Sequence, residues 1–272
     1  MQFIRLIWYG IIFTIISFNY HATGEETKSR NQPWDFNIAF GFSMTSGNND
    51  TYTLSVEGDA RKQWRRFRYK GDFSIRYRTT QYVSGGPRIV STNNWIFSSR
   101  LDWFLSRKRD NFLFVVVIPE GNEFRGFWWK VATQGGFGYR FFGEQKNIDL
   151  TVAAGFDYSY EEPVVNDVPP DQILTSVIKP ELEWEILPTV RLSKRLSFWN
   201  DLRDGSEYKI DSRVLFDFSL TDTFSIRTSY LLNHRHKPRM IRERDKYGNT
   251  TEKRIPAERT DHSITTAIVL SF

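Results

Sequence analysis

Few side chains in this sequence could do chemistry. Four histidines occur, His21, His234, His236 and His262, and the last directly precedes Ser263. Serine catalysis needs the hydroxyl and an imidazole within hydrogen-bond reach, but neighbours on an extended strand point to opposite faces. His234 and His236 share a face, yet two ligands without a third do not make a metal site. We therefore predict that the protein is not an enzyme and that it has no metal site and no cofactor.

Charged side chains recur at alternate positions along several stretches, which places each set on one face of a strand. The basic set comprises Arg68, Lys70, Arg76, Arg78, Arg100, Lys130 and Arg140. The acidic set comprises Asp149, Asp157, Glu181, Glu183 and Glu185. Two such walls facing each other would create a transverse field that acts on charged or polar solutes. Whether the two sets face each other depends on the positions of the strands that carry them.

Alternation of apolar and polar residues dominates from Trp34 onward, as in "WDFNIAFGFSMT" and "IDSRVLFDFSL". The pattern recurs in about twelve segments, most of them nine or more residues long, and each predicts a half-buried strand. Short and long links between the segments alternate as well. This places both chain ends on the short-link side and requires an even number of strands. The boundaries around 111–125 and 185–205 stay open, because "NFLFVVVIPE" is continuously apolar and Pro188 interrupts the second region.

Two architectures give this alternation. A soluble sandwich or barrel buries its apolar face, whereas an outer-membrane barrel turns that face to lipid and lines its lumen with polar residues. Strand length and the position of aromatic residues favour the membrane form. The aromatic residues gather near strand ends, at Trp34, Tyr69, Trp103, Tyr139 and Phe141 on one side and Tyr77, Trp95, Trp129, Tyr158 and Tyr160 on the other. We predict an all-β protein, a single antiparallel up-and-down transmembrane β-barrel of about 12 strands over residues 34–272.

The N-terminus and the composition agree with export. Arg5 precedes an apolar run from Leu6 to Phe18, and the small-residue site Ala22-Thr23-Gly24 follows, which is the layout of a cleaved signal peptide. We assign residues 1–24 to the signal peptide, residues 25–33 to a short periplasmic segment, and the protein to the bacterial outer membrane. The chain has no cysteine, which excludes disulfides and a lipid-modified cysteine. The net charge of +5 is too interleaved to indicate nucleic-acid binding.

At this point the sequence resembles a known family, the YdiY-like outer-membrane proteins with a domain of unknown function numbered 481. The resemblance rests on "FGFSMTSGNND", on "NEFRGFWWKVATQGGFGYRF" and on the aromatic C-terminus, and it covers Trp34 to Phe272. Asn122-Glu123-Phe124 stands where related sequences often have Asp-Glu-Phe. The resemblance implies an outer-membrane barrel and implies no catalytic residues.

The ending "HSITTAIVLSF" alternates up to its last residue, so we expect it to be the strand that closes the barrel against the first. Ile268, Leu270 and Phe272 form its lipid-facing row and resemble the signal read by the barrel-assembly machinery. The expected partners are therefore this machinery, outer-membrane lipid and lipopolysaccharide. The sequence does not indicate the oligomeric state.

Two functions stay open from the sequence. In a twelve-strand barrel the third and eighth strands lie nearly opposite each other, so the basic and acidic walls would face each other across the lumen. Walls kept apart by water would make a narrow channel for small polar or charged solutes. Walls that pair would make a closed barrel with a structural role or a binding role for the basic loop Arg235–Ala257 toward lipopolysaccharide or another external partner. An outer-membrane lipid hydrolase is a further alternative.

Overall fold

The computed structural model describes residues 34–45, 50–81, 88–142, 147–164, 171–237, 240–244, 250–256 and 259–271. The predicted signal peptide, the segment 25–33 and the terminal Phe272 lie outside these ranges. No helix in the described part of the chain is long and apolar enough to cross a membrane.

The described residues form fourteen strands, whose lengths suit the alternating segments of the sequence. They are β1 (Asp35–Thr45), β2 (Asp50–Gln63), β3 (Phe67–Gln81), β4 (Ile89–Phe104), β5 (Asn111–Asn122), β6 (Phe127–Arg140), β7 (Ile148–Pro163), β8 (Asp171–Leu187), β9 (Val190–Asp201), β10 (Tyr208–Ser219), β11 (Phe224–Arg235), β12 (Met240–Arg244), β13 (Thr250–Pro256) and β14 (Thr260–Ser271). A single turn of 3₁₀ helix, Glu123–Arg125, links β5 to β6.

Twelve of these strands close into one antiparallel barrel. Consecutive strands pair from β1 to β11, and β14 pairs with both β11 and β1. Closure sets Asn37 opposite Ser271 and Phe40 opposite Ile268. The remaining strands, β12 and β13, form a separate two-stranded sheet within the last connection. The predicted all-β up-and-down barrel of about 12 strands is therefore confirmed, and its even strand number places both ends of the barrel chain on one side.

The outer face of the barrel is apolar and the inner face is polar. On β1, for example, Phe36, Phe40 and Phe42 are exposed on the outside, while Ala39 is buried inside. In a transmembrane barrel the sheet is closed, so each strand is hydrogen-bonded to a neighbour on both sides, and the apolar side chains face the hydrocarbon. This barrel has that arrangement. In the same way β14 turns Ile268 outward and Val269 inward.

The continuously apolar strand β5 also alternates, although its sequence does not show which face is which. Phe112, Phe114 and Val116 are fully buried inside the barrel, and Leu113 and Val115 are exposed outside. The inner side chains join Phe104, Ala153 and Ile118 in an apolar cluster, here called the inner apolar cluster. The interior of this barrel is thus partly filled by side chains, as in other small barrels.

Glycines on β6 and β7 make room for this filling. A Cβ atom on Gly138 would overlap the Phe112 ring. A Cβ on Gly136 or on Gly155 would overlap the backbone of the neighbouring strand. The glycine-rich stretch of β6 therefore serves close packing inside the barrel.

Candidate functional site in the barrel lumen

The lumen widens toward the long-link side of the barrel into a cavity of about 690 Å³, here called the vestibule. Its lining comes from β2 to β11 and β14 and reaches the links on that side, at Phe124 and Glu207. The walls are mainly polar and charged, because the inward positions of the strands are polar. A cavity of this volume suits a small solute.

Toward the short-link side the lumen narrows to a space of about 30 Å³. This smaller cavity is lined by charged residues of β1 to β3 and β9 to β11. Four charged side chains line both spaces, Glu57, Asp72, Arg195 and Arg213. We call these four residues the constriction, because they separate the vestibule from the smaller cavity.

Ion pairs that cross the lumen hold the constriction together. Arg195 Nη1 on β9 lies 2.9 Å from Asp72 Oδ1 on β3. Arg213 on β10 pairs with Glu57 on β2. Strands on opposite sides of the barrel are therefore bridged by side chains at the narrowest level.

A second group of cross-lumen pairs lies beside the constriction and is centred on β8. Arg61 on β2 lies 3.0 Å from Glu183, between Nη1 and Oε2. Lys70 on β3 and Arg100 on β4 approach Glu181 to 3.4 Å and 2.7 Å. The predicted facing of basic and acidic strands is present in this layer, but here the charges meet across the lumen.

The other predicted basic residues also face the lumen, and most of them are bound to a nearby strand. Arg68 Nη2 lies 2.8 Å from Asp102 Oδ2. The Lys130 ammonium lies 3.2 Å from Glu161. In the vestibule, Arg76 contacts Glu57 and Ser263, while Arg78 donates to the Thr53 hydroxyl at 3.1 Å.

The predicted acidic residues divide into four environments. Asp149 accepts a 2.7 Å hydrogen bond from Arg140 on the neighbouring strand, and Glu181 and Glu183 belong to the cross-lumen pairs. Glu185 is exposed near the short-link end of β8, opposite Arg191 in register. Asp157 is buried against the vestibule wall.

The charges do not segregate into one basic and one acidic wall. Asp72 and Asp102 lie among the basic residues of β3 and β4, and Arg195 lies beside the acidic strand β8. The field across the lumen is therefore broken into local pairs. These additional residues follow the same alternation, so the sequence predicts that they face the lumen. The sequence does not indicate that they form ion pairs there, because each is a single charge on a strand with charges of both signs.

The inner apolar cluster occupies part of the lumen. Phe104 and Phe112 are packed edge to face, and the Arg68 and Arg100 guanidiniums lie over the phenylalanine rings. The lumen is filled beside Phe104, Phe112 and Phe114. The smaller cavity lies beside β1 to β3 and β9 to β11.

The described histidines, His234, His236 and His262, lie at the rim on the long-link side. His262 stacks on Tyr230, whose hydroxyl is 2.8 Å from His262 Nδ1. Its neighbour Ser263 instead faces the lumen and accepts a hydrogen bond from Arg76. His236 stacks on Tyr208 with ring centroids 4.9 Å apart. The rim histidines thus belong to an aromatic layer.

Charged groups of the links on the long-link side are also paired. The Lys237 ammonium and Ser206 hydrogen-bond Asp204 and lower the pKa of its carboxyl to about 2. A hydrogen bond with Asp201 raises the pKa of the Arg203 guanidinium. The 202–207 link is therefore tied both to β9 and to the start of the last connection.

Comparisons with known proteins place this chain beside other β-barrels. A family model described as "Protein of unknown function, DUF481" matches residues 38–272, which confirms the resemblance seen in the sequence. No curated protein matches the chain.

Among solved structures, the chain is similar to the COG4313 outer membrane channel from Pseudomonas putida F1, with 10% identity, a TM-score of 0.48, and coverage of 92% of this chain and 100% of that one. It is also similar to the NanC porin, with 8% identity, a TM-score of 0.47, and coverage of 87% and 98%. The translocator domain of the autotransporter NalP from Neisseria meningitidis has 10% identity, a TM-score of 0.45, and coverage of 98% and 96%.

Proposed function

The chain belongs to the DUF481 family, and we propose that it is an outer-membrane β-barrel that forms a narrow channel for small polar or charged solutes. Solutes would enter the vestibule from the long-link side and pass the constriction to reach the short-link side. No catalysis is required. The proposal takes its support from the lumen.

The observation that carries the proposal is that one ring of side chains separates two polar cavities. Glu57, Asp72, Arg195 and Arg213 line the vestibule on one side and the smaller cavity on the other. Rotation of these long side chains would join the two spaces without moving a strand. A path that needs only side-chain motion can open on a fast timescale.

The exposure of the Arg195–Asp72 pair also favours a wet passage over a dry plug. The Arg195 and Asp72 side chains are each 25% exposed. By contrast, Asp102 beside the inner apolar cluster is fully buried. Water that reaches the Arg195–Asp72 pair hydrates both groups when they separate, so opening it costs less than opening a dry pair.

The vestibule carries an excess of positive charge, which would favour anionic solutes. Among the described residues, twelve lysines and arginines line it, against nine aspartates and glutamates. A low-dielectric wall focuses such an excess toward the opening. We therefore expect the channel to prefer anions over cations.

Conductance in planar bilayers tests the proposal. Purified protein should give discrete conductance steps, and the reversal potential in a salt gradient should indicate anion preference. Arg76→Glu in the vestibule should shift this potential toward cations, whereas Arg203→Glu, in the exposed 202–207 link, should shift it less. Absence of any step in several lipids would reject the channel.

A closed barrel with a binding role is the second candidate. It is favoured by the cross-lumen pairs and by the β12–β13 sheet, which lies in a connection of basic sequence. Such a loop would suit the anionic head groups of lipopolysaccharide. Deleting residues 237–253 should then abolish binding to lipopolysaccharide vesicles while the barrel remains folded. Unchanged binding would reject this role.

A further inference from the structure

A buried carboxylate lies in the vestibule wall. Asp157 on β7 is 5% exposed and faces the vestibule. Its Oδ1 has no hydrogen-bond partner in the described part of the chain. The Thr175 hydroxyl, directly opposite on β8, is also buried without a partner there. Buried polar groups are normally hydrogen-bonded, so two adjacent exceptions that line a cavity indicate a missing ligand or solvent.

The ammonium groups around this carboxylate are directed to other acceptors. Lys130 pairs with Glu161 at 3.2 Å, and Lys179 donates to Gln134. Lys209 pairs with Asp211 at 2.7 Å. A cationic ligand at Asp157 would face the positive charge of all three lysines, and like charges in a partly buried site repel each other strongly. A neutral hydroxyl group fits better, because it donates a hydrogen bond and brings no charge.

An aromatic ring lines the same cavity from the strand that follows β8. Trp199 on β9 faces the lumen, lines the vestibule and is half-buried. Its register partner on β8 is Val177, two residues from Thr175. Lys209 Nζ lies 4.4 Å from the centre of the indole ring. Tryptophan offers a broad apolar surface with low conformational freedom, which suits a flat ligand face.

We propose that Asp157, Thr175 and Trp199 form a binding subsite for a hydroxyl-rich ring of the sugar class. A hydroxyl of the sugar would donate to Asp157 Oδ1 and another would bond to the Thr175 hydroxyl. The apolar face of the sugar ring would pack against the face of the Trp199 indole that Lys209 does not cover. The vestibule volume of about 690 Å³ has room for one or two such rings.

This inference rests on the proposed function in one respect, which is that solutes reach the vestibule. Equilibrium binding tests it without requiring conduction. The protein is purified in a detergent that has no sugar head group, and binding of glucose and maltose is measured by calorimetry and by tryptophan fluorescence. Ethanolamine serves as the cationic probe and acetate as the anionic one.

Isosteric variants locate the site. Thr175→Val should lower the association constant for the sugar about tenfold or more, as expected for loss of a buried hydrogen-bond partner. Asp157→Asn should lower it less, because the amide oxygen still accepts a hydrogen bond but carries no charge. Trp199→Phe should remove most of the fluorescence change. Thr151→Val is the control, because Thr151 is buried and inward on β7 but lines neither cavity. Slower migration after boiling on a gel establishes that each variant is folded.

Sugar binding that Thr175→Val weakens and Thr151→Val does not would support the subsite. No sugar binding, equal loss in both threonine variants, or binding of ethanolamine or acetate in place of sugar would overturn it. If ordered water alone occupies the site, no sugar binding will be observed. Conductance without sugar binding would support the channel and reject the subsite. Sugar binding without conductance would support the subsite and reject the channel.

Discussion

Arg195 on β9 and Asp72 on β3 are 123 residues apart in sequence, yet their side chains meet across the lumen with an Nη1–Oδ1 distance of 2.9 Å. Each side chain is 25% exposed. The pair joins opposite sides of the barrel at the narrowest level of the lumen. It therefore contributes both to the stability of the barrel and to its closure.

The pair should show a measurable coupling energy. In a double-mutant cycle with Arg195→Ala and Asp72→Ala, we expect a coupling of about 1.5–3 kcal/mol, as for hydrogen bonds between charged groups. Unfolding in urea, followed by gel mobility, gives the four free energies of unfolding. The exposed pair Arg203–Asp171, at 3.4 Å, is the matched control and should couple by about 1 kcal/mol or less. Equal coupling in both cycles would contradict the central position of Arg195–Asp72.

The packing of Phe112 over Gly138 gives a second prediction. Gly138→Leu should lower the free energy of unfolding by about 1–3 kcal/mol, because the new side chain and the Phe112 ring need the same space. Phe112→Ala should partly rescue the variant. Gly205→Ala is the control, since nothing lies within 4 Å of a Cβ atom at that position. A stable Gly138→Leu barrel would show that the inner apolar cluster is not tightly packed.

The link at Asp204 should be insensitive to moderate acid. Because the pKa of Asp204 is lowered to about 2 by Lys237 and Ser206, its bonds form fully above the ordinary aspartate pKa and are lost as the pH falls through about 2. Carbon NMR of labelled aspartate carboxyls follows this titration. Lys237→Ala should move the midpoint upward, toward the ordinary value, while Arg191→Ala at the far end of the barrel should not. An unchanged midpoint in Lys237→Ala would contradict the assignment.

The C-terminal strand should be the part of the chain most sensitive to truncation. Ile268 and Leu270 lie on the outer row of β14 and pair with β1, at Phe40 and Ile38, so the end of this strand closes the barrel. Phe272 lies outside the described residues, and its role as part of an assembly signal stays a prediction. Its removal should lower the amount of folded barrel in membranes more than removal of Gly205 from a link. Normal insertion without Phe272 would count against the signal.

Strand identity and the inward or outward face could be predicted from the sequence wherever residues alternate. β14 is an example, because Ile264, Thr266 and Ile268 on one face contrast with Ser263 and Thr265 on the other. On β5 both faces are apolar, so the faces could not be assigned. They are decided by the small residues of β6 and β7, such as Gly138 and Ala153, which accept the large inner side chains.

The partners of the lumen charges could not be predicted. Alternation fixes the face of Arg195 and of Asp72 but not their height along the barrel axis. Height depends on strand tilt and stagger, which are properties of the closed sheet as a whole. The sequence therefore indicated facing walls of opposite charge, whereas the barrel brings individual residues such as Lys70 and Glu181 together as pairs.

Single-channel conductance of the Arg195→Ala/Asp72→Ala double variant tests the central claim most directly, namely that the constriction alone interrupts a polar path through the barrel. Removing both side chains leaves no unpaired charge from this pair and widens the constriction, in which Arg213 and Glu57 remain paired. We predict conductance steps several times larger than those of the unaltered protein, with no such increase in Arg203→Ala/Asp171→Ala. Equal conductance in the two double variants, or no conductance in either, would contradict the claim.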